Sequence, residues 1–100
     1  MPTVTVTYAL DGVEFEWDET KARENIEKHG VAFEEAVEAF FDPFYQGGDA
    51  TVDREQHRFI IGYSMSQRLL LVVHMEREER TRIISARPAT RAERKLYEET

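Results

Sequence analysis

The chain has 100 residues, of which 41% are hydrophobic and 33% charged, and it contains no cysteine. These values are typical of one globular domain and exclude a disordered chain, a disulfide framework and thiolate metal sites. The net charge of −7 disfavours a general nucleic-acid binder, but residues 54–100 carry 10 cations against 7 acids, so a local basic face is possible. We expect a cytoplasmic protein with no membrane contact, because no apolar run is long enough to cross a bilayer.

The chain begins with a predicted β-hairpin over residues 3–17. β-Branched residues alternate over 3–8, and Asp11-Gly12 then favours the positive φ angles of a two-residue turn. The return strand alternates apolar and acidic residues. This alternation predicts that Val13, Phe15 and Trp17 face inward.

Two helices are predicted over residues 18–41. Asp18 is suited to cap the first helix, and Gly30 is suited to the left-handed position at which it ends. The second helix is predicted over 33–41, where apolar residues follow helical spacing. These residues are Phe33, Ala36, Val37, Phe40 and Phe41.

A loop is predicted at 44–50, followed by a three-stranded meander over 51–87, with strands at 51–64, 69–76 and 81–87. Short connections require antiparallel pairing of these strands. A last helix is predicted over 90–99, because Thr90 and Glu93 have the spacing of a capping box. The sequence therefore predicts a single small α+β domain. Its antiparallel sheet carries the first two helices on one face, and the third helix follows at the C-terminus.

Pairing Arg77 with Arg80 across the last hairpin predicts which side chains share a face. In this register His74 faces Ile83, Val72 faces Ser85 and Leu70 faces Arg87. One face then carries a polar group of His74, Glu76, Ser85 and Arg87, which Arg58 joins from the neighbouring strand. The same face carries an apolar stripe of Ile60, Leu70, Val72 and Ile83, which indicates a partner chain. The helices are expected on the other face, over Leu69, Leu71, Val73, Met75, Ile84 and Ala86.

An ordered set of segments over about residues 14–98 resembles the BrnT family of toxins. The segments are Phe15-Glu16-Trp17-Asp18, Lys21-Ala22, Asn25, Lys28-His29-Gly30-Val31, Phe33-Glu34-Glu35-Ala36, Phe41-Asp42-Pro43, Arg58-Phe59-Ile60 with Gly62 and Ser64, Arg82-Ile83-Ile84-Ser85-Ala86-Arg87, Ala89-Thr90, Glu93-Arg94 and Tyr97-Glu98. The resemblance implies a RelE/ParE-like fold and a metal-independent ribonuclease toxin of a type II toxin–antitoxin pair, with no cofactor. It also implies a BrnA-like antitoxin with a ribbon-helix-helix domain. The toxin is then expected to associate with DNA only indirectly, through this antitoxin. The strand at 3–8 is an addition to the family pattern.

Metal-free RNA cleavage needs a proton-transfer group and cations at the scissile phosphate. The candidate catalytic residues are His74, Glu76, Arg82 and Arg87. The candidates for binding RNA or antitoxin are Lys21, Lys28, His29, Arg58, Ser85, Arg91 and Tyr97. Strand alternation offers a metal site as an alternative, although a charged sheet edge explains the same residues. They are Asp53, Glu55 and His57.

Simpler roles also fit several of these residues. His74 is equally interpreted as an exposed strand residue, and Arg87 as a support of the strand-to-helix turn. Lys28 and His29 complement the negative end of a helix dipole. For the whole chain the alternatives to a ribonuclease toxin are a non-catalytic module that binds a ribbon-helix-helix regulator and a homo-oligomeric structural protein.

Overall fold

The structure, a computed structural model, describes residues 4–51 and 54–99, in which three helices pack on one six-stranded sheet. The elements in chain order are β1 (Thr5–Leu10), β2 (Val13–Asp18), α1 (Glu19–His29), α2 (Phe33–Ala39), β3 (Gln46–Asp49), β4 (Arg58–Tyr63), β5 (Leu69–Arg77), β6 (Arg80–Pro88) and α3 (Arg91–Glu98). No helix in this described part is long and apolar enough to span a membrane.

The sheet has the order β1-β2-β6-β5-β4-β3 and is mixed. Strands β4, β5 and β6 pair antiparallel, as the short connections predict. The expectation of a wholly antiparallel sheet is wrong, because β6 returns beside β2 and runs parallel to it. The predicted loop at 44–50 is also corrected, since its two glycines lie in the edge strand β3. The strand predicted from residue 51 begins only at Arg58, and residues 52–53 lie outside the described residues.

Local signals place the first elements accurately. Asp11 and Gly12 both have positive φ angles, of 48° and 79°, as a two-residue hairpin turn requires. The Asp18 carboxylate accepts the backbone N–H of Thr20 at 2.8 Å and caps α1, which ends at Gly30 with a φ of 68°. Helix α2 ends at Ala39, two residues earlier than predicted.

The main core lies between one face of the sheet and the helices α1 and α2. Its buried side chains are Phe15, Trp17, Val31, Phe33, Ala36, Val37, Ala39, Ile60, Leu70, Val72, Ile83 and Ala86. Phe40 and Phe41 pack against this core from the turn that follows α2. Val13 is 43% exposed, contrary to the predicted inward orientation, because it directly follows the turn at the end of the hairpin.

A β-bulge between β5 and β6 corrects the predicted faces. The register shifts at Val73/His74, so that His74 still faces Ile83 but Val73 now faces Ser85 and Leu71 faces Arg87. The predicted pairs Val72–Ser85 and Leu70–Arg87 are therefore wrong. The predicted exposed stripe is wrong as well, because all four of its apolar residues are buried in the core. These residues are Ile60, Leu70, Val72 and Ile83. The extra residue in β6 reverses the alternation beyond the bulge.

Helix α1 replaces a strand along the second half of β6. The Asn25 side chain donates to the Ala86 carbonyl at 2.7 Å and accepts the Ala86 N–H at 3.1 Å. It also donates to the Val31 carbonyl at 2.9 Å. Strand β2 pairs with β6 only at Thr81 and Arg82, so Asn25 satisfies backbone groups that β2 does not reach.

Candidate active site

A cavity of about 410 Å³ lies at one end of the sheet, next to the turn that follows α2. Three predicted site residues line it: Arg58 at the start of β4, and His74 and Glu76 near the end of β5. Arg58 and His74 are direct partners in the β4–β5 register. These three side chains are grouped as predicted, but they lie on the face of the sheet that carries the helices, whereas we expected the helices on the other face.

His74 is buried and has no polar partner. Its side chain belongs to a residue that is only 7% exposed, and neither ring nitrogen has a hydrogen-bond partner among the described residues. The Phe40 ring packs edge-on against the imidazole, with the centroids 4.9 Å apart. The interpretation of His74 as an exposed strand residue is therefore wrong.

The surroundings of His74 keep it neutral. Burial lowers the pKa of the imidazole below its usual value, Glu76 opposes this shift, and the positive charge of Arg58 adds to it. A neutral imidazole has one N–H donor and one nitrogen acceptor. It is therefore in the form that accepts a proton, but both ring nitrogens are shielded, so a ligand can bond to them only after the imidazole is uncovered.

Arg58 and Glu76 differ in how firmly they are held. Glu76 accepts the hydroxyl of Thr81 at 2.9 Å across the β5–β6 hairpin. Arg58 is exposed, and its guanidinium forms no ion pair or hydrogen bond with a described residue. Both residues also border a second cavity of about 430 Å³, whose lining includes His57. Arg58 is thus a cation of this cavity that can bind an anionic ligand, although Asp49 lies opposite it in the β3–β4 register and attracts its charge.

The two predicted catalytic arginines of β6 lie elsewhere, each paired with a carboxylate. Arg82 contacts Glu16 at 2.7 Å, and the Glu16 side chain is 9% exposed. Arg87 makes two bonds of 2.7 Å to Glu93, which raise the pKa of the guanidinium and lower that of the carboxyl. Beyond the bulge, Arg87 and Ser85 lie on the face opposite His74. The predicted grouping of His74 with Ser85 and Arg87 is therefore wrong.

Four predicted binding residues meet between α1 and β6. A shallow cavity of about 230 Å³ has Lys21, Lys28, His29 and Ser85 in its lining. Arg91 is apart from this group, exposed in the first turn of α3. The structure thus places Lys21 and Lys28 of α1 next to Ser85 of β6.

Tyr97 joins α3 to the rest of the domain. Its hydroxyl donates to the Asp42 carboxylate at 2.6 Å, and its ring lies edge-on to Tyr63 with the centroids 5.3 Å apart. Burial and the contact with Asp42 raise the pKa of Tyr97 to about 12. The hydroxyl therefore stays protonated at neutral pH and acts as a donor to Asp42.

The alternative metal site is only partly within the described residues, because Asp53 lies outside them. His57 and Glu55 approach to 3.9 Å. Among the residues that the structure does describe, no group of three or more histidine or acidic side chains is placed to hold a metal ion.

Sequence reasoning missed Tyr45 as a residue of the cavity. Tyr45 is 47% exposed and lines the same space as His74 and Arg58. The available signal was an aromatic residue directly before a strand that contains Gly47-Gly48, in a segment predicted to be a loop. Glycines within a strand commonly mark a position where a ligand or another part of the chain approaches the backbone closely.

A comparison with known families places this small α+β domain among the toxins of type II toxin–antitoxin systems. The family described as "Ribonuclease toxin, BrnT, of type II toxin-antitoxin system" matches residues 17–93. The chain belongs to this BrnT family, which confirms the resemblance found in the sequence. Strand β1 and most of β2 precede the matched region. No curated protein matches the chain.

Proposed function

We propose that the protein cleaves RNA without a metal ion, at the cavity formed by Arg58, His74 and Glu76. The carrying observation is a neutral, buried imidazole with no polar partner, next to an arginine that is not paired within the described chain. Family membership supplies the ribonuclease class, and these residues supply the proton acceptor and the cation that such a reaction needs. The reaction takes place in the cytoplasm, on RNA.

The proposed step is an internal displacement at one phosphodiester. His74 accepts the proton of the ribose 2′-hydroxyl, and the 2′-oxygen forms a bond to phosphorus. The bond from phosphorus to the 5′-oxygen breaks, and the leaving oxygen takes a proton from water. The products are a 2′,3′-cyclic phosphate and a 5′-hydroxyl. Arg58 binds the phosphate through its fork of N–H donors, and Glu76 stabilises the imidazolium that forms.

Substrate binding has to uncover His74, because both of its ring nitrogens are shielded from solvent. Arg58, Tyr45 and Glu76 are exposed side chains of the cavity, and Arg58 can move without disturbing the core because no ion pair holds it to a described residue. A phosphate that draws the Arg58 guanidinium toward itself would open the cavity on that side. The same movement would relieve the charge of Arg58 on the imidazole and make His74 a better base.

The two β6 arginines that match the BrnT pattern, Arg82 and Arg87, have a structural role in this proposal. Arg82 and Arg87 hold Glu16 and Glu93, and either would have to leave a short ion pair before it could bind phosphate. The Arg87–Glu93 pair belongs to the cap of α3, since Glu93 also accepts the N–H of Thr90 at 2.8 Å. We therefore assign the phosphate to Arg58 and the two β6 arginines to the fold.

Variants of the two candidate arginines test this assignment. Arg58→Ala is expected to lower the rate of cleavage of an end-labelled RNA by about 10²–10³, the usual loss for one preorganised donor. His74→Leu is expected to lower it by about 10²–10⁴. Arg87→Ala is the matched control, which removes an arginine from the opposite face and is expected to keep the rate within about threefold.

Thermal melts of each variant separate a lost fold from a lost reaction. Addition of a chelator is expected to leave the rate unchanged. Full activity of Arg58→Ala together with loss of activity in a folded Arg87→Ala variant would contradict the assignment, and loss of activity with chelator would point to a metal.

A BrnA-like antitoxin with a ribbon-helix-helix domain is the proposed partner, as expected for a type II system. The exposed apolar stripe that first indicated a partner is buried, so the argument now depends on charge. Lys21 and Lys28 are exposed, have no ion pair within the described chain, and line the cavity between α1 and β6 together with the single acid Glu24. Acidic groups of an antitoxin would be attracted to this position.

A non-catalytic module that binds the same regulator is the second candidate. The observation that favours it is the shielding of both His74 nitrogens, together with the carboxylate partners of Arg82 and Arg87. The two candidates differ in one result. Tight antitoxin binding by a protein that cleaves no RNA, in the presence or absence of the antitoxin, would select the module.

A further inference from the structure

Tyr45 lies at the mouth of the cavity that contains His74, in a rigid segment of the chain. Its backbone N–H donates to the Asp42 carbonyl at 3.1 Å. The Asp42 carboxylate accepts the N–H groups of Phe44 and Tyr63, both at 2.9 Å, and the hydroxyl of Tyr97. Three elements are thus joined at Asp42, and they fix the backbone that presents Tyr45.

Two glycines border the Tyr45 side chain. A Cβ atom added at Gly62 would lie 2.6 Å from the Ala39 carbonyl oxygen and 3.2 Å from the Tyr45 Cβ. Glycine at position 62 therefore allows the close approach of the Ala39 carbonyl, and it also leaves room for the Tyr45 Cβ beside β4. Gly47 leaves the neighbouring wall without a side chain, since a Cβ there would lie 4.0 Å from the Tyr45 ring. Nearly half of Tyr45 remains exposed beside the cavity.

The cavity has the contents and the size of a site for one nucleotide. Its volume of about 410 Å³ is within the range of about 300–1,000 Å³ that small-molecule sites occupy. Arg58 provides a phosphate ligand and Tyr45 provides an aromatic surface in the same lining. Proteins that bind single strands combine these two elements, with bases stacked on aromatic rings and cations along the backbone.

We propose that Tyr45 stacks on the base of the nucleotide whose phosphate Arg58 binds, so that the site selects single-stranded RNA. The inference rests on the proposed function and adds its specificity-determining residue. A base inside a duplex is stacked on its neighbours and cannot lie on Tyr45 without leaving the helix. Stacking uses the face of the base, so the selection is for an unpaired nucleotide more than for its sequence.

Binding of an RNA that cannot be cleaved tests the inference apart from the reaction. The probe is a fluorescent single-stranded oligoribonucleotide with 2′-O-methyl groups, and its anisotropy is followed against protein concentration. Tyr45→Ala is expected to weaken binding about 5- to 100-fold, the usual effect of one stacked base. Tyr45→Phe keeps the ring and is expected to bind like wild type. The same strand annealed to its complement is expected to bind at least about tenfold more weakly.

Phe44→Ala is the matched control, because Phe44 is the adjacent aromatic residue, is 71% exposed and is not part of the cavity lining. It is expected to leave binding unchanged. Equal binding by wild type and Tyr45→Ala, or equal losses in Tyr45→Ala and Phe44→Ala, would overturn the inference even if the protein cleaves RNA. Binding that depends on Tyr45 in a protein without cleavage activity would support the inference and overturn the proposed reaction.

Discussion

His74 occupies a position where an apolar side chain would pack at least as well. A buried polar group without a partner costs about 1–3 kcal/mol, and nothing in the described structure compensates the two ring nitrogens. The neighbours of the imidazole include the Phe40 ring at 4.9 Å. His74 thus lowers the stability of the fold and lies directly opposite Arg58. This combination is typical of a functional residue.

We expect His74→Leu to be as stable as wild type at pH 7, within about 1 kcal/mol, because the change removes an unpaired polar group. The folded state lowers the pKa of His74, so the unfolded chain takes up a proton first as the pH falls through about 6.5. The protein is therefore expected to lose stability as the pH falls below about 6.5, because protonation of His74 favours the unfolded chain. Urea melts at pH 7 and pH 5 should show a smaller pH dependence in His74→Leu than in wild type. A loss above about 2 kcal/mol at pH 7 would show that the imidazole is a structural residue.

At the scale of elements, Asn25 shows how a helix can complete a sheet. Its amide replaces a strand at Ala86 and also holds the chain at Val31. Asn25→Ala would leave three backbone groups without their partner, and we expect a loss of about 3 kcal/mol in the free energy of unfolding. Glu27→Ala, at an exposed position of the same helix outside the cavity between α1 and β6, should change it by less than about 0.5 kcal/mol. Equal effects of the two substitutions in denaturant melts would contradict this role.

Elements that depend on local signals were predictable, and those that depend on long-range registers were not. The caps at Asp18 and Thr90 and the turn at Asp11-Gly12 follow from a few adjacent residues, and the structure confirms them. Strand β5 is apolar on both faces, so its alternation alone does not show which face the helices cover. The bulge in β6 adds one residue and leaves no mark in the sequence.

The same distinction holds for the candidate site. Arg58, His74 and Glu76 were grouped correctly because adjacent antiparallel strands fix their alignment over a short distance. Arg87 was grouped with them wrongly, because the bulge lies between it and His74. Tyr45 was not predicted, since its place over β4 depends on a contact with Gly62 from a distant part of the chain.

At the scale of the whole molecule, folding brings the acidic first half of the chain against the basic second half. Residues 1–53 carry three cations against 13 acids, and the fold pairs several of these acids with arginines from residues 54–100. The pairs are Glu14 with Arg80, Glu16 with Arg82 and Glu35 with Arg68. Several arginines of the basic half are therefore neutralised by carboxylates of the same chain. The cations that are left for a partner lie in small groups. Lys21 and Lys28 on α1 form one of these groups.

This distribution leads to a prediction for the antitoxin complex, in which the position of a charge matters more than the net charge. We expect Lys21→Glu to slow association with the antitoxin by about tenfold at low ionic strength, because a charge at an interface acts mainly on the rate of encounter. Arg23→Glu makes the same change of charge two residues away on α1, outside the cavity lining, and should slow association by less than about twofold. Stopped-flow association at about 20 mM and 500 mM salt measures both rates, and the difference between the variants should disappear at high salt because the charges are then screened. Equal slowing by the two substitutions would mean that the antitoxin senses only the total charge of an already acidic protein, and the surface between α1 and β6 would then have no special part in binding.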